Sequence, residues 1–313
     1  MKALVISDGR VSWQDRPDPI PGTHELLVEV GAAGINGADL LQRAGRYPPP
    51  PGTPPDQPGL ECAGTVRAVG DRVTAFEPGA RVMSLLAGAA QAELAVVHER
   101  VAMRVPERLS MVEAGGFPEV FSTAYDALFT QAGLASGDRV LVTGASGGVG
   151  MAGVQLAVAA GASVVASARS TGLHERLGAL GATCAPPDEA VGLGPFDVVL
   201  ELVGGPSLAW AMGSLAPGGR VVVIGTGGGG RAELDLHALM ARRATIRGST
   251  LRNRTLEEKA LVARRVEHHV LPLLSAGRVR VLVEDVFPFD HGQEAYERFA
   301  AGNKLGKIVL AWG

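Results

Sequence analysis

The chain has 313 residues, a formal net charge of −3 and a hydrophobic content of 46%. This apolar content excludes wholesale disorder, and the charge balance gives no electrostatic footprint for nucleic acid or an anionic membrane. The length suggests two domains of roughly 150 residues each. The two cysteines, Cys62 and Cys184, exclude a disulfide scaffold and a cysteine-rich zinc site. The first apolar run is too short for a signal peptide, so we expect a soluble cytoplasmic protein without a membrane partner.

The first part of the chain, up to about residue 119, predicts a β-rich domain. Segments rich in β-branched residues lie between Gly and Pro turns at residues 2–7, 26–32, 64–69 and 92–97. Residues 36–44 predict one short helix. Residues 47–59 contain seven prolines, which are incompatible with regular structure. A loop of this length is a candidate for a functional role.

Beyond residue 119 the chain alternates between apolar strands and helices. The predicted strands are 139–143, 163–168, 196–203, 220–225 and 244–248, and the predicted helices are 123–132, 148–160, 173–180 and 207–215. The strands lack polar alternation, as expected for a parallel sheet that helices cover on both faces. The alternation therefore predicts βαβ units in an α/β domain.

The tail predicts a return to the first domain. A helix is expected from Thr255 to about residue 276, followed by strands 278–288 and 307–311 with a helix at 293–301 between them. We therefore predict one domain of residues 1–119 plus 256–313 and an inserted domain of residues 120–255. Strand 244–248 should form an exposed edge of the parallel sheet, and such an edge invites pairing, so we expect a homodimer.

The strand at 139–143 runs directly into a turn that matches the dinucleotide fingerprint, with alanine in the first glycine position. Gly147 would let a pyrophosphate approach, and Gly150 would let the helix pack against the strand. The N–H groups at the helix start would face the phosphates. The predicted cofactor-binding residues of this turn are Ala145, Ser146, Gly147, Gly148, Val149 and Gly150.

Two other interpretations of this turn stay open. It fits a purely structural turn in a parallel sheet. Residues 144–148 also fit G-x-S-x-G, the nucleophile elbow of hydrolases, with Asp290 and His291 as conceivable partners of Ser146. However, no HGGG-type oxyanion segment precedes Ser146, and Asp290 and His291 are adjacent, whereas triad members come from separate loops. A dinucleotide site is the leading hypothesis.

The end of the next strand predicts which dinucleotide is bound. An NAD site needs an acidic residue about 20 positions after the turn, to hold the ribose 2′-hydroxyl. Here the strand ends in Ser167, Ala168, Arg169 and Ser170, without a carboxylate. An arginine and hydroxyls would bind a 2′-phosphate, so the sequence favours NADPH. Arg169 also fits an ordinary solvated loop arginine.

Several motifs, in order along the chain, resemble the zeta-crystallin-like quinone oxidoreductase family of the medium-chain dehydrogenase/reductase superfamily. Two of them look most like the tumour-suppressor-inducible branch: the proline-rich stretch beginning at residue 42 and the Ser-Thr-Leu-Arg stretch at 249–252. Besides the turn at 145–150, the matching segments are 34–39 (GINGAD), 45–52 (GRYPPPPG), 59–66 (GLECAGTV), 117–120 (FPEV) with Thr123, 248–252 (GSTLR) and 303–310 (NKLGKIVL).

The resemblance implies a doubly wound Rossmann sheet inserted in a GroES-like β-rich domain, with the active site in the cleft between them. It implies hydride transfer from NADPH to a quinone or related enone. The residues that it assigns to catalysis are Tyr47, Asn36 and Thr123. To the cofactor it assigns, besides the turn, Ser167, Arg169, Ser170, Gly225, Thr226, Gly227, Leu251, Arg252 and Asn303.

The sequence also departs from the family pattern. Zinc-containing relatives carry Gly-His-Glu where this chain has Gly59-Leu60-Glu61, so a histidine ligand is replaced by leucine. Cys62 is the one cysteine of the first domain, and the adjacent His268 and His269 diverge by about 100° on a helix. We therefore predict no catalytic metal. A lysine that some members use near the 2′-phosphate is Leu173 here, which places more weight on Arg169.

Three functions remain open at this stage. The leading hypothesis is a zinc-independent NADPH-dependent quinone or enone reductase. A second keeps the fold and cofactor but reduces an enoyl-thioester or a biosynthetic intermediate. A third is a cofactor-binding protein with negligible catalysis. Within the first, Tyr47 either donates a hydrogen bond to the developing oxyanion or only packs over the cofactor.

Overall fold

The computed structural model describes residues 1–312. Its strands are β1 (Lys2–Ser7), β2 (Arg10–Asp15), β3 (Glu25–Ile35), β4 (Glu61–Val69), β5 (Arg81–Leu85), β6 (Leu94–His98), β7 (Ala102–Arg104), β8 (Arg139–Val142), β9 (Ser163–Ser167), β10 (Thr183–Ala185), β11 (Phe196–Glu201), β12 (Leu215–Val223), β13 (Thr245–Gly248), β14 (Val283–Phe287) and β15 (Lys307–Ala311). Its α-helices are α1 (Gly37–Arg43), α2 (Met111–Gly115), α3 (Pro118–Tyr125), α4 (Gly148–Ala159), α5 (His174–Gly178), α6 (Pro187–Ala190), α7 (Pro206–Gly213), α8 (Leu236–Arg242), α9 (Leu256–His269), α10 (Leu271–Ser275) and α11 (Gly292–Ala300).

The strands divide between two large sheets and a hairpin of β1 and β2. The β-rich sheet has the order β14-β15-β3-β4-β5-β7, and β6 pairs with β3. The tail strand β15 lies antiparallel to β3, so Ile308 faces Ile35 and the end of the chain shares a sheet with its beginning. The domain limits near residues 119 and 255 stay a prediction.

The second sheet has six parallel strands in the order β10-β9-β8-β11-β12-β13. This is the doubly wound order, in which the first strand lies at the centre and the chain reverses direction beside it. The central strand β8 buries Val140, Leu141 and Val142 almost completely, because helices cover both faces. The predicted α/β fold, a Rossmann sheet together with a GroES-like β-rich part, is confirmed.

Two of the predicted helices differ from those in the structure. The helix expected at 123–132 is an α-helix to Tyr125 and continues as a π-helix over Asp126–Gln131. The single long helix expected after Thr255 is two helices, α9 and α10. Pro272 explains the break, because proline lacks the N–H that would continue the helix and its ring clashes with the preceding turn.

Short strands were also missed or misplaced. Strands β2, β5, β7 and β10 were not predicted, because three to six residues carry too little periodicity to be recognised. The strand expected at 278–288 is limited to Val283–Phe287. Within residues 1–312, the helices lack the combination of length and apolar character that crossing a bilayer requires.

Candidate active site

The glycine-rich turn joins the central strand β8 to helix α4. Gly144 has a φ of +59°, a conformation that glycine adopts without strain, and Gly147 forms the N-cap of α4. A Cβ on Gly150 would lie 2.6 Å from Cα of Ala145, so only glycine allows the helix to pack this closely on the turn. The first N–H groups of α4 have no partner within the helix and are available to an anion.

The segment before β15 lies directly on this turn. Gly306 donates its N–H to the carbonyl of Ser146 at 2.9 Å, and Gly147 forms a bridge with Gly306. Nearby, the Ser170 hydroxyl donates to Oδ1 of Asn303 at 2.8 Å. The structure therefore brings together the predicted cofactor residues Ser146, Ser170 and Asn303, which come from both sheets.

The end of β9 is the edge at which the sequence predicts the ribose of a dinucleotide to bind. Ser167 is buried, and its carbonyl accepts a hydrogen bond from the N–H of Ala145 at 3.0 Å, which fixes the turn against β9. Arg169 lies two residues after the end of β9 and is exposed to solvent. The ring of His174 contacts the carbonyl of Ala168 at 2.9 Å. Within residues 1–312 the Arg169 side chain forms no hydrogen bond or ion pair, and its predicted role at a 2′-phosphate stays a prediction.

A second glycine-rich loop follows β12. A Cβ on Gly225 would lie 2.2 Å from the carbonyl oxygen of Leu202, so the two backbones touch at this point. Glu201 organises the facing loop: its Oε1 accepts the N–H groups of Val203 and Gly204, both at 2.8 Å. The same carboxylate accepts hydrogen bonds from the hydroxyls of two further residues, Thr143 and Ser207. Glu201 was not predicted, although a carboxylate at the end of an apolar strand is a recognisable signal.

A buried cluster of charged side chains lies at the junction of the two sheets. The ammonium of Lys307 donates to Oε1 of Glu61 at 2.6 Å, to Oδ1 of Asn36 at 2.6 Å and to the carbonyl of Ile35 at 2.8 Å. Asn36 in turn donates to Glu61 at 3.0 Å, and the N–H of Glu119 donates to the other oxygen of Glu61 at 2.8 Å. This network, Asn36, Glu61, Glu119 and Lys307, is named the charge cluster.

The charge cluster contacts the start of helix α4. A Cβ on Gly148 would lie 2.7 Å from Val120 and 2.9 Å from Cδ of Lys307. Thr123, one turn after Glu119 on α3, donates its hydroxyl to Oε1 of Glu119 at 3.2 Å. Two of the predicted catalytic residues, Asn36 and Thr123, are thereby joined through the cluster, which sequence reasoning did not recognise.

Two carboxyl groups beside Lys307 have shifted acidity. Burial raises the pKa of Asp39 to about 6, although its oxygens accept the N–H groups of Asn36 and Gly59. Burial, together with repulsion from Glu61, raises the pKa of Glu119 to about 7. Glu119 can therefore carry a proton near neutral pH, which is what a group exchanging protons with a substrate requires.

The third predicted catalytic residue, Tyr47, belongs to a separate group of contacts. Its hydroxyl lies 3.1 Å from the hydroxyl of Thr250. Arg252 is only 3% exposed and donates to the carbonyls of Tyr47 and Ala87 and to Oε1 of Gln42. Its guanidinium thereby anchors the proline-rich loop, and its predicted role towards the cofactor stays a prediction. Burial also lowers its pKa.

The neighbouring Leu251 is buried, with 6% exposure. Thr226 and Gly227 follow Gly225 on the second glycine-rich loop. Within residues 1–312, the side chains of Leu251 and Thr226 form no hydrogen bonds, and Gly227 has no side chain. Their predicted binding roles stay predictions.

The hydrolase interpretation of the turn finds no support in the geometry. His291 contacts Asp290 at 3.0 Å, and both side chains are exposed on a 3-10 turn. This turn precedes α11, whereas Ser146 lies between β8 and α4. The Ser146 carbonyl accepts a hydrogen bond from the N–H of Gly306, and neither His291 nor Asp290 forms a hydrogen bond with Ser146.

Leu60, which stands where zinc-containing relatives have histidine, is buried with 4% exposure. His268 and His269 are both exposed on the last turn of α9. In the part of the chain that the structure describes, no group of three or more His, Cys, Asp or Glu side chains is arranged to hold a metal ion.

Comparison with known proteins gives two family matches. Residues 22–130 match the alcohol dehydrogenase GroES-like domain, and residues 160–310 match a family described as zinc-binding dehydrogenase. The human protein named quinone oxidoreductase is 31% identical over 305 residues, which cover 93% of this chain and 90% of that protein.

Solved structures extend these matches. An alcohol dehydrogenase superfamily protein from Novosphingobium aromaticivorans is 29% identical, with a TM-score of 0.88 over the full length of both chains. The CurK enoyl reductase is 25% identical, with a TM-score of 0.84 over 99% of this chain and 98% of that one. These structural matches cover nearly the whole chain, whereas the two family matches cover residues 22–130 and 160–310.

Proposed function

Because the chain belongs to the medium-chain dehydrogenase/reductase superfamily, alongside the quinone oxidoreductases, we propose that it transfers a hydride from NADPH to a quinone or related enone. The observation that carries this proposal is the contact between the dinucleotide turn and the charge cluster. The start of α4 packs against Val120, which is on the same helix as Thr123, and against Lys307, which binds Asn36, and this supports a role for both residues in the site. The quinone acceptor is supported by the name of the human relative.

The residues present fit a bound dinucleotide phosphate. Gly147 and Gly148 leave the N-terminus of α4 without side chains, and the 303–306 segment closes over the turn from the other sheet. When bound, the cofactor supplies the hydride. The chain would supply the N–H groups that bind the phosphates and, from Thr123 and Tyr47, hydroxyl groups that can donate to a substrate.

The preference for NADPH rests on Arg169 and Ser170, because a 2′-phosphate needs donors and β9 ends without a carboxylate. We expect Arg169→Ala to weaken NADPH binding by roughly 10- to 150-fold, corresponding to about 1.5–3 kcal/mol for a lost charge-assisted contact, and to leave NADH binding unchanged. Titration of both cofactors by fluorescence tests this. Arg72→Ala, which removes an exposed arginine from the β-rich part of the chain, is the control.

The function itself is tested by NADPH oxidation with 1,4-naphthoquinone and with a small α,β-unsaturated ketone. Turnover of either acceptor supports the proposal. Tight NADPH binding without turnover of any acceptor would show a cofactor-binding protein instead. An enoyl-thioester substrate is the second candidate, and the structural match to an enoyl reductase favours it. A crotonyl-thioester in the same assay distinguishes the two reductases.

We also propose that the reaction needs no zinc, although the matched family is described as zinc-binding. Leu60 has no group that could coordinate a metal, and the Lys307 ammonium already neutralises Glu61. Elemental analysis should find less than one zinc per chain, and activity should survive chelation. Stoichiometric zinc whose removal abolishes activity would refute this.

A homodimer in the cytoplasm completes the proposal. Strand β13 ends the parallel sheet, and helix α8 beside it buries none of its residues. Met240 is 72% and Trp210 53% exposed, so a second copy would cover apolar surface as well as an unpaired edge. Sedimentation velocity should show a dimer that Met240→Glu weakens. Leu261→Glu, on another face and 52% exposed, should leave it intact.

A further inference from the structure

Glu119 differs from the other members of the charge cluster in its side-chain contacts. It lies in the first turn of α3, and its side chain is partly buried. Its backbone N–H binds Glu61, but its carboxyl group accepts a hydrogen bond from the Thr123 hydroxyl. Within residues 1–312 this is the one side-chain hydrogen bond that Glu119 makes.

The charged groups around Glu119 come from three other elements. The charges that act on its carboxyl group belong to Glu61 on β4, Lys307 on β15 and Asp39 on α1. The three ammonium donors of Lys307 are directed to Glu61, Asn36 and the Ile35 carbonyl. The cation of the cluster is thus paired with Glu61, and within residues 1–312 the Glu119 carboxyl group forms no ion pair of its own.

This arrangement favours the neutral acid. Burial and the Glu61 charge raise the pKa of Glu119, and Lys307 and the Thr123 hydroxyl oppose the rise only in part. When Glu119 is ionised, Thr123 donates to it. When Glu119 is protonated, the Thr123 oxygen can accept a hydrogen bond from the Glu119 O–H, and Thr123 can turn its own O–H towards the substrate.

We propose that Glu119 is the internal acid of the reaction and passes its proton to the reduced substrate through the Thr123 hydroxyl. This proposal rests on the proposed reductase function and identifies the origin of the second hydrogen. Thr123 would be the group that touches the substrate, and Glu119 would act through it.

The hydride comes from the bound cofactor, and the proton comes from Glu119 through Thr123. The substrate gains a hydride, which brings two electrons, and its oxygen becomes an oxyanion. The Thr123 O–H bond breaks as its proton binds this oxygen, and the Glu119 O–H bond breaks as its proton restores the Thr123 hydroxyl. Glu119 is left as a carboxylate and regains a proton from water before the next turnover.

The first experiment follows the pH profile of kcat with NADPH and 1,4-naphthoquinone. Because the protonated acid is the active form, wild-type kcat should fall as pH rises through about 7. Glu119→Gln and Thr123→Val should lower kcat at pH 6 by about 100-fold and remove this pH dependence. Thr123→Ser should recover most of the rate. Glu107→Gln removes an exposed carboxylate from the same chain and should match the wild type.

The second experiment observes the carboxyl group directly, without turnover. Asp39, whose pKa is about 6, should lose its protonated-acid infrared band at lower pH. In the cofactor-free protein, the band that disappears around pH 7 should therefore belong to Glu119. It should be absent from Glu119→Gln and present in Thr123→Val and Glu107→Gln. A band that persists unchanged in Glu119→Gln would overturn the assignment of this proton to Glu119.

The outcomes separate this proposal from the proposed function. If the wild type reduces no quinone, enone or enoyl-thioester, the reductase function is wrong. If the wild type is active and Glu119→Gln keeps its rate and pH profile, only the relay is wrong. Should Glu119→Gln fail to fold by circular dichroism, the Thr123→Val and Thr123→Ser pair decides: equal rates in both would contradict the relay.

Discussion

The glycine-rich turn at residues 144–150, called the dinucleotide turn, contacts the charge cluster, but the turn is formed by backbone and the cluster by side chains. The turn is a short piece of backbone between β8 and α4, and glycines at 144, 147, 148 and 150 shape it. The cluster consists of side chains from β4, β15, α3 and the N-cap of α1. The turn is a local structure whose free N–H groups can bind an anion, whereas the cluster is non-local and contains Glu119, whose pKa burial raises.

The two regions should therefore respond differently to substitution. Loss of one partner in the cluster leaves an uncompensated charge in a buried position, which is costly. A methyl group added to the turn costs only the backbone movement that is needed to accommodate it. The following predictions test this difference.

The largest effect is expected for Lys307→Met, which removes the cation while Glu61 and Asn36 remain buried. We expect a loss of about 3–5 kcal/mol in the free energy of unfolding, measured by urea denaturation. Lys2→Met, at an exposed position, should change it little. The double variant Lys307→Met with Glu61→Gln should regain part of the loss. Equal stability of the single variant and the wild type would show that the cluster does not contribute as described.

A smaller effect is expected for Gly150→Ala in the turn. Its Cβ would lie 2.6 Å from Cα of Ala145, and a backbone atom cannot rotate away. The free energy of unfolding should fall by about 1–3 kcal/mol, and NADPH binding should weaken with it. The control is Gly178→Ala in α5, where an added Cβ meets nothing within 4 Å. That variant should be neutral or gain about 0.5–1 kcal/mol from helix propensity.

The smallest effect is expected at Tyr47, outside both regions. If its hydroxyl, 3.1 Å from that of Thr250, donates to the developing oxyanion, Tyr47→Phe should lower kcat about tenfold, or about 1.4 kcal/mol. NADPH affinity should stay at the wild-type value. Thr250→Val tests whether the neighbouring hydroxyl orients Tyr47. An unaltered kcat in Tyr47→Phe would indicate that Tyr47 only packs in the site.

Much of the fold could be predicted because its signals are local. The parallel strands are apolar runs bounded by breakers, and the dinucleotide turn follows a fixed spacing from a strand into a helix. The prediction was weaker for β5 and β7, which are short strands recognised only by their pairing partners. It also missed that Arg252 anchors the proline-rich loop through Gln42 and the Tyr47 and Ala87 carbonyls.

The sequence by itself determined the parallel α/β region, its glycine turn and the absence of a carboxylate after β9, because each depends on residues within a few positions of one another. Only the tertiary structure decided the charge cluster. Lys307 and the carbonyl that it binds at Ile35 are 272 positions apart, and no spacing rule connects them. They meet because β15 pairs with β3, and the hydrogen bonds of that pairing place a lysine among carboxylates at the base of the candidate site.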